Sequence, residues 1–259
     1  MTTQQPTNLT MKADKFSYFF SKHWLAVFNT VVAIYIFLPM LAPVMMKVGL
    51  TGPARVVYTI YSPMCHQMAS RSFFLFGEQS AYPRELAGTE LQPLEAYIND
   101  IPEFEGVNPQ NWANFFLAAR RFVGNEQLGY KMALCERDIA IYSFVLIFGL
   151  LYAALRNRFN IRPLPVYIFI IVGMGPIALD GFSQLFGYYA TPLDGSAPQG
   201  FQQTIGAIFA LRESPPFLRF FTGALFGFML GWLIYPHIGA GMKVSEQEAK
   251  LKLDRVGNQ

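Results

Sequence analysis

The stretch IAIYSFVLIFGLLYAALRNRFNIRPLPVYIFIIVGMGPIALDGFSQLF, residues 139–186, decides the fold class. It holds two apolar runs, Ile139–Leu155 and Leu164–Phe186, separated only by the basic link RNRFNIRP. A hydrocarbon core about 30 Å thick takes about 20 residues at helical rise, so the second run spans it and the first falls only slightly short. Two spans joined by so short a link lie antiparallel.

Outward from this pair, Trp24–Met46 and Phe217–Ile238 are also long enough to cross, which makes four spans. Composition agrees: 53% of residues are hydrophobic, 25 are Phe and only 14% are charged, against about 25% charged in soluble domains. The chain therefore reads as all-α, a polytopic transmembrane helical bundle. The formal net charge of +3 is small and its basic residues sit in short flanking segments, so nothing points to nucleic acid as a partner. The first twenty or so residues are polar and no small-residue cleavage site follows a short apolar stretch, so a removed signal peptide is not expected.

Lys and Arg in short loops resist translocation and set orientation. Lys12, Lys15 and Lys22 precede the first span, Arg156, Arg158 and Arg162 fill the link, and Lys243, Lys250, Lys252 and Arg255 follow the fourth span. Four spans put all three clusters on one side, with both termini cytoplasmic in a cell-membrane protein. The opposite side receives residues 48–137 and 187–214. The segment Gly52–Gly77 is apolar but interrupted by Arg55, His66, Gln67 and Arg71, so residues 53–76 are expected to form an interfacial or half-buried helix. A fifth span there would invert everything after it.

Residues 78–133 change character, with six carboxylates between Glu85 and Glu105 set among prolines, and read as a solvated, acidic, extracytoplasmic insertion. Within it NWANFFLAARRFVG has the spacing of a short helix. The expected organisation is a cytoplasmic segment (1–22), a transmembrane domain (23–239) carrying the insertion, and a charged, frayed cytoplasmic tail (240–259). Gly223, Gly227 and Gly231 recur every fourth residue and predict close helix packing within the chain. Trp24, Trp232 and Tyr235 suit an interfacial aromatic belt.

Polar residues inside apolar spans are costly unless paired or wet. Asp180 lies within the third span with Gln184 one turn later on the same face, and Arg212, Arg219 and Thr222 lie at the start of the fourth. The topology brings these to one level with Cys65, His66, Cys135, Arg137 and Asp138. Asp180 and Arg219 read either as an interhelical ion pair or as substrate-facing groups. The two cysteines read first as a disulfide, since both fall on the side that permits oxidation. A zinc site using Cys65, His66 and Cys135, completed by Asp138 or a carboxylate of the insertion, is the next alternative, and a reactive thiol the third.

The ordered segments SPMCHQMASRSFFLFG, CERDIAIY, PIALDGFSQ and LRESPPFLRFFTGALFG resemble a family of prokaryotic membrane proteins named domain of unknown function 2085. The resemblance runs from about residue 50 to 235. It places the family's Cys-His pair on Cys65 and His66, a Ser/Arg element on Arg71 and Ser72, and a second cysteine on Cys135. Its Asp-Gly-x-x-Gln falls on Asp180, Gly181 and Gln184, and its Arg and Thr-Gly on Arg219, Thr222 and Gly223. The segment Glu78–Ala133 is longer than the pattern implies. The resemblance implies a membrane protein with a polar site and brings no assigned reaction.

Three function classes follow. The first is an enzyme or carrier for a lipid-like substrate with an anionic head group, with Arg71, Arg137, Gln184, Arg212, Arg219 and Thr222 binding it and Asp180 and His66 moving protons. The second is a non-catalytic subunit docked to partner membrane subunits. The third is thiol or metal chemistry with a membrane quinone.

Overall fold

The computed structural model describes residues 8–193 and 196–257. Four helices are long and apolar enough to cross a membrane: Met11–Lys47, Glu136–Leu155, Val166–Tyr189 and Pro216–Arg255. They carry lipid-facing apolar side chains, among them Ile34, Phe37, Leu150, Ile171, Leu179 and Phe221, all exposed. An apolar surface of this extent suits a lipid solvent and not water.

The spans are longer than their apolar runs. Helix α1 (Asn8–Lys47) takes in the polar N-terminal residues, and α8 (Pro216–Gly257) continues without a break through the charged tail expected to fray. Good helix formers such as Glu, Lys and Leu fill that tail, so it extends an existing helix and avoids the cost of nucleating a new one.

Helix α4 (Glu136–Leu155) packs most closely on α8, with α1 against both. The glycine stripe is the reason. A Cβ on Gly223 would meet the Arg137 carbonyl, one on Gly227 the Ile141 carbonyl and one on Gly231 the Phe148 ring. Backbones therefore touch where any larger residue would hold them apart. Trp24 and Tyr235 are not a belt. Both are buried, they stack with Tyr152, and Tyr235 donates to Asn29 Oδ1 at 2.8 Å. Trp232 alone stays partly exposed.

The expected helix over 53–76 is shorter and more broken. Helix α2 covers Thr51–Tyr61, a loop carries Cys65 and His66, a single 3-10 turn holds Ala69–Arg71, and strand β1 is Phe74–Leu75. Helix α2 has already stopped at Tyr61, and within the loop beyond it Gln67 adopts a left-handed φ of 52°. The insertion is also more than a solvated loop. Short strands β2 (Gly124–Asn125) and β3 (Gly129–Lys131) join β1 in a sheet ordered β1-β3-β2, both pairs antiparallel, with Phe74 opposite Lys131 and Gly124 opposite Tyr130. Helix α3 (Trp112–Arg121) lies against them, and Phe74, Tyr82, Leu94, Phe104, Phe115, Phe122 and Leu128 form a separate core. Asn111 starts α3 by accepting from the Asn114 N–H at 3.1 Å.

Lys131 stitches this lobe to the segment before α4. It is 1% exposed and its ammonium donates to the carbonyls of Gln67 (2.5 Å), Arg120 (2.9 Å) and Ala119 (3.3 Å). Burial brings its pKa down to about 7.

The third span is one continuous rod of three parts: α5 (Val166–Ile168), a π-helical stretch Phe169–Met174, and α6 (Gly175–Tyr189). Pro176 has no N–H to offer, and the Gly175 N–H reaches back to Ile170 O in the wider π pattern. After this turn Asp180 and Gln184 point inward while Leu179, Phe182 and Leu185 stay exposed.

Candidate functional site

Polar groups from five segments meet at the end of the bundle that carries the insertion, and they form two ionic clusters and a thiol group. The first cluster surrounds Asp180. Its Oδ1 accepts from Arg212 Nη2 at 2.9 Å and from the Ser214 hydroxyl, and its Oδ2 from Arg137 Nη2 and Gln184 Nε2. Gln184 also clamps Ser214, donating to its Oγ at 2.6 Å and accepting from its N–H at 3.2 Å. Arg212 reaches Ser183 Oγ at 2.6 Å. Asp180 is 5% exposed and its carboxylate is held by four donors.

The second cluster surrounds Glu213. Arg71 grips its two oxygens at 2.6 and 3.1 Å, Tyr188 donates a hydroxyl, and Arg219 pairs with Oε1. Arg219 also reaches Glu136 at 3.4 Å and the Ser70 carbonyl at 3.1 Å. Burial would raise the Glu213 pKa, but the guanidinium groups of Arg71 and Arg219 outweigh it and hold the carboxyl below its ordinary range. The anticipated Asp180–Arg219 pair is not made. Each residue has its own partners because Arg137 and Arg212 stand nearer Asp180, and Glu213 nearer Arg219.

Around these clusters, four guanidinium groups (Arg71, Arg137, Arg212, Arg219) face the carboxylates of Asp180, Glu136 and Glu213, with Asp138 close by. A cleft of about 390 Å³ adjoins them between the insertion and α6. His66, Arg71, Arg84 and Arg137 line it together with Trp112, Phe115, Phe116, Leu185 and Tyr189, and the two kinds interleave, Arg84 lying over the Phe115 ring and His66 against Phe116. A second cleft of about 330 Å³ shares His66, Met68, Arg71, Arg137 and Gln184 with it and extends to Cys65, Cys135, Asp138 and Arg219. Arg137 Nε is buried without a hydrogen-bond partner in this region.

Of the residues singled out from sequence, His66, Arg71, Arg137 and Gln184 line both clefts, and Arg219 lines the second. Arg212 acts behind the cleft through Asp180. Thr222 turns its hydroxyl to the Leu218 carbonyl of its own helix at 2.8 Å. Sequence reasoning passed over Glu136, Tyr188, Ser214, Arg84 and Trp112. Glu136 had a signal, being a carboxylate on the first turn of a span beside Arg137. Tyr188 and Trp112 had none, since aromatic residues are frequent throughout this chain.

Both cysteines are free thiols, so the expected disulfide is not formed. Cys65 Sγ accepts from the Cys135 N–H at 3.2 Å and the Gln67 N–H at 3.4 Å, and Cys135 Sγ donates to Asp138 Oδ2 at 3.2 Å. The Cys135 thiol beside it, with these backbone N–H groups, lowers the Cys65 pKa despite burial. The ligand atoms of Cys65, Cys135 and Asp138 lie within 4.8 Å of one another. His66 is outside that group. Its ring faces Phe116, with centroids 5.5 Å apart, because neighbouring residues leave the chain in different directions.

Residues 126–233 match the family model described as predicted membrane protein, DUF2085. That stretch holds Cys135, Arg137, Asp180, Gln184, Glu213 and Arg219 and bears out the family resemblance seen in the motifs. The Cys65–His66 segment lies before it. The uncharacterized protein MJ1492 of Methanocaldococcus jannaschii is 25% identical over 180 residues, covering 70% of this chain and 67% of its own length. No solved structure matches the chain.

Proposed function

We propose that this multi-pass membrane protein, with both termini cytoplasmic, binds the anionic head group of an amphipathic, lipid-like molecule in the cleft between the insertion and α6. The orientation rests on the three basic clusters, which share the end of the bundle opposite the insertion. The observation that carries the binding reading is the mixed lining of the cleft, in which Arg71, Arg84, Arg137 and His66 stand among aromatic and aliphatic groups, with Arg84 4.2 Å over the Phe115 ring. Guanidinium groups suit phosphate or carboxylate oxygens. Leu185 and Tyr189 continue the apolar lining onto the exposed surface of α6, where Phe182 and Leu179 would meet an acyl chain.

Native mass spectrometry of the detergent-solubilised protein tests this. The expected result is retention of an anionic lipid in preference to a zwitterionic one, reduced about tenfold in Arg137→Gln, which removes one charge-assisted contact. Equal retention of both lipid types, or retention unchanged in Arg137→Gln, refutes it.

A second reading, an accessory subunit of a larger assembly, draws on α7 (Phe201–Ile208), whose Phe201 and Ile208 are 69% and 71% exposed. A stoichiometric partner on purification, with no bound lipid, favours it.

A further inference from the structure

We propose that Cys65, Cys135 and Asp138 form a binding site for a thiophilic divalent cation, zinc being the reference ion, with its fourth coordination position open to the cleft. This assignment stands independently of the anion-binding reading, because it uses donors that the head group would not need.

The donors come from two elements that the fold locks together. Cys135 immediately precedes α4, and Asp138 follows one turn later on the same face, so the two side chains project side by side. Cys65 arrives from the loop after α2. Tetrahedral zinc with Zn–S of about 2.3 Å and Zn–O of about 2.1 Å sets its donors about 3.5 to 3.8 Å apart. The three donor atoms lie within 4.8 Å of one another, and Cys135 Sγ is already 3.2 Å from Asp138 Oδ2. Small rotamer shifts close the rest. Two thiolates and a carboxylate are a donor set suited to zinc more than to magnesium or calcium, which prefer oxygen alone.

The surroundings also hold the Cys65 sulfur in place. Its sulfur accepts two backbone N–H groups, from Gln67 and Cys135. Gln67 itself adopts a left-handed φ of 52°, a conformation that costs free energy and persists only where the surroundings fix it. They do fix it: Gln67 Nε2 donates to the carbonyls of Tyr58 and Ala133, both at 2.9 Å, which ties the Cys65 loop to α2 and to the segment before Cys135. Such supports orient metal ligands and hold sulfur in place. Binding is proton-balanced: the two thiols each release one proton, the carboxylate adds a third donor, and the resulting site carries one net negative charge. Arg137 and Arg219 in the same cleft offset it. Water, or an anionic ligand held by those arginines, takes the fourth position.

The test uses full-length protein purified in detergent, stripped with a chelator, then titrated with zinc, with bound metal measured by elemental mass spectrometry and thiols counted by alkylation. One zinc per chain is expected, with both thiols alkylated in the stripped protein and both protected when zinc is bound. Cobalt in place of zinc should give the absorption of tetrahedral cobalt thiolate. Cys65→Ser and Cys135→Ser should each weaken zinc binding more than tenfold, and Asp138→Asn about tenfold. A Cys65–Cys135 disulfide in the protein as isolated overturns the proposal, as does failure of the stripped wild-type protein to bind zinc at micromolar concentration. Full zinc occupancy in the double serine variant overturns it too. The wild-type thiol count and cobalt spectrum decide the matter even if a variant does not fold.

Discussion

Arg71, 142 residues away in the chain, and Arg219, only 6 away, converge on Glu213 and share its Oε1. The 3-10 turn before β1, the loop before α8 and α8 itself are thereby fastened at one carboxylate. A buried cation left without its anion is far more costly than the pair is favourable. Glu213→Gln should therefore lower stability by about 3–5 kcal/mol. In thermal unfolding it should be among the most damaging polar substitutions. Adding Arg219→Met should recover part of the loss, and a double variant no better than the single would contradict the account.

Asp180 should couple to Arg137 and not to Arg219. Residues that share a contact show interaction energies of about 0.5–3 kcal/mol, whereas separated ones add. A double-mutant cycle for Asp180→Asn and Arg137→Gln, read as melting temperature, should show strong non-additivity. The cycle with Arg219→Gln should be nearly additive. Equal coupling in both would mean that the two clusters act as one.

Lys131 makes stability depend on pH. Its folded pKa of about 7 is below the ordinary lysine value, so between these the unfolded chain binds the extra proton. Stability contributed by this group therefore rises as pH climbs from about 7 toward about 10, and is flat below, where both states are protonated. The melting temperature of the wild type should increase between about pH 7 and 9 more steeply than that of Lys131→Met. Parallel pH curves would sink the claim.

Much of this was legible beforehand. Four spans, the close packing of the glycine stripe, the short helix at Trp112–Arg121 and the meeting of Cys65 with Cys135 were readable because each rests on period, length or topology. The pairing of Asp180 was not. Spacing shows that a carboxylate lies in a span, but choosing among Arg137, Arg212 and Arg219 requires knowing which helix faces are adjacent. The insertion misled for a related reason: prolines and 3-10 turns scatter Leu94, Ile101 and Phe104 without a repeating period, so their common core leaves no pattern.

Helix packing offers a contrast free of charge effects. Gly227→Ala places a methyl against the Ile141 backbone and should destabilise by about 1–3 kcal/mol, the usual cost of overpacking. Gly241→Ala, with nothing within 4 Å of its Cβ, should be neutral or mildly stabilising through helix propensity. Unfolding curves that rank the two alike would remove the stripe's claimed role.

The π-helical stretch Phe169–Met174 gives the third span a phase shift. A wide turn is in effect one residue added to an ordinary helix, so the residues before and after it keep different angular clocks. Deleting a single residue from the span with the wide turn kept would shorten the rod by only about 1.5 Å, yet would rotate everything beyond it by about 100°. Asp180 and Gln184 would swing from the interior, and Gly181 and Leu185 would take their place against the arginines. The chemistry at this end of the bundle thus hangs on a length register set nearly two turns before the first charged residue of the span, in a segment that carries no polar side chain of its own.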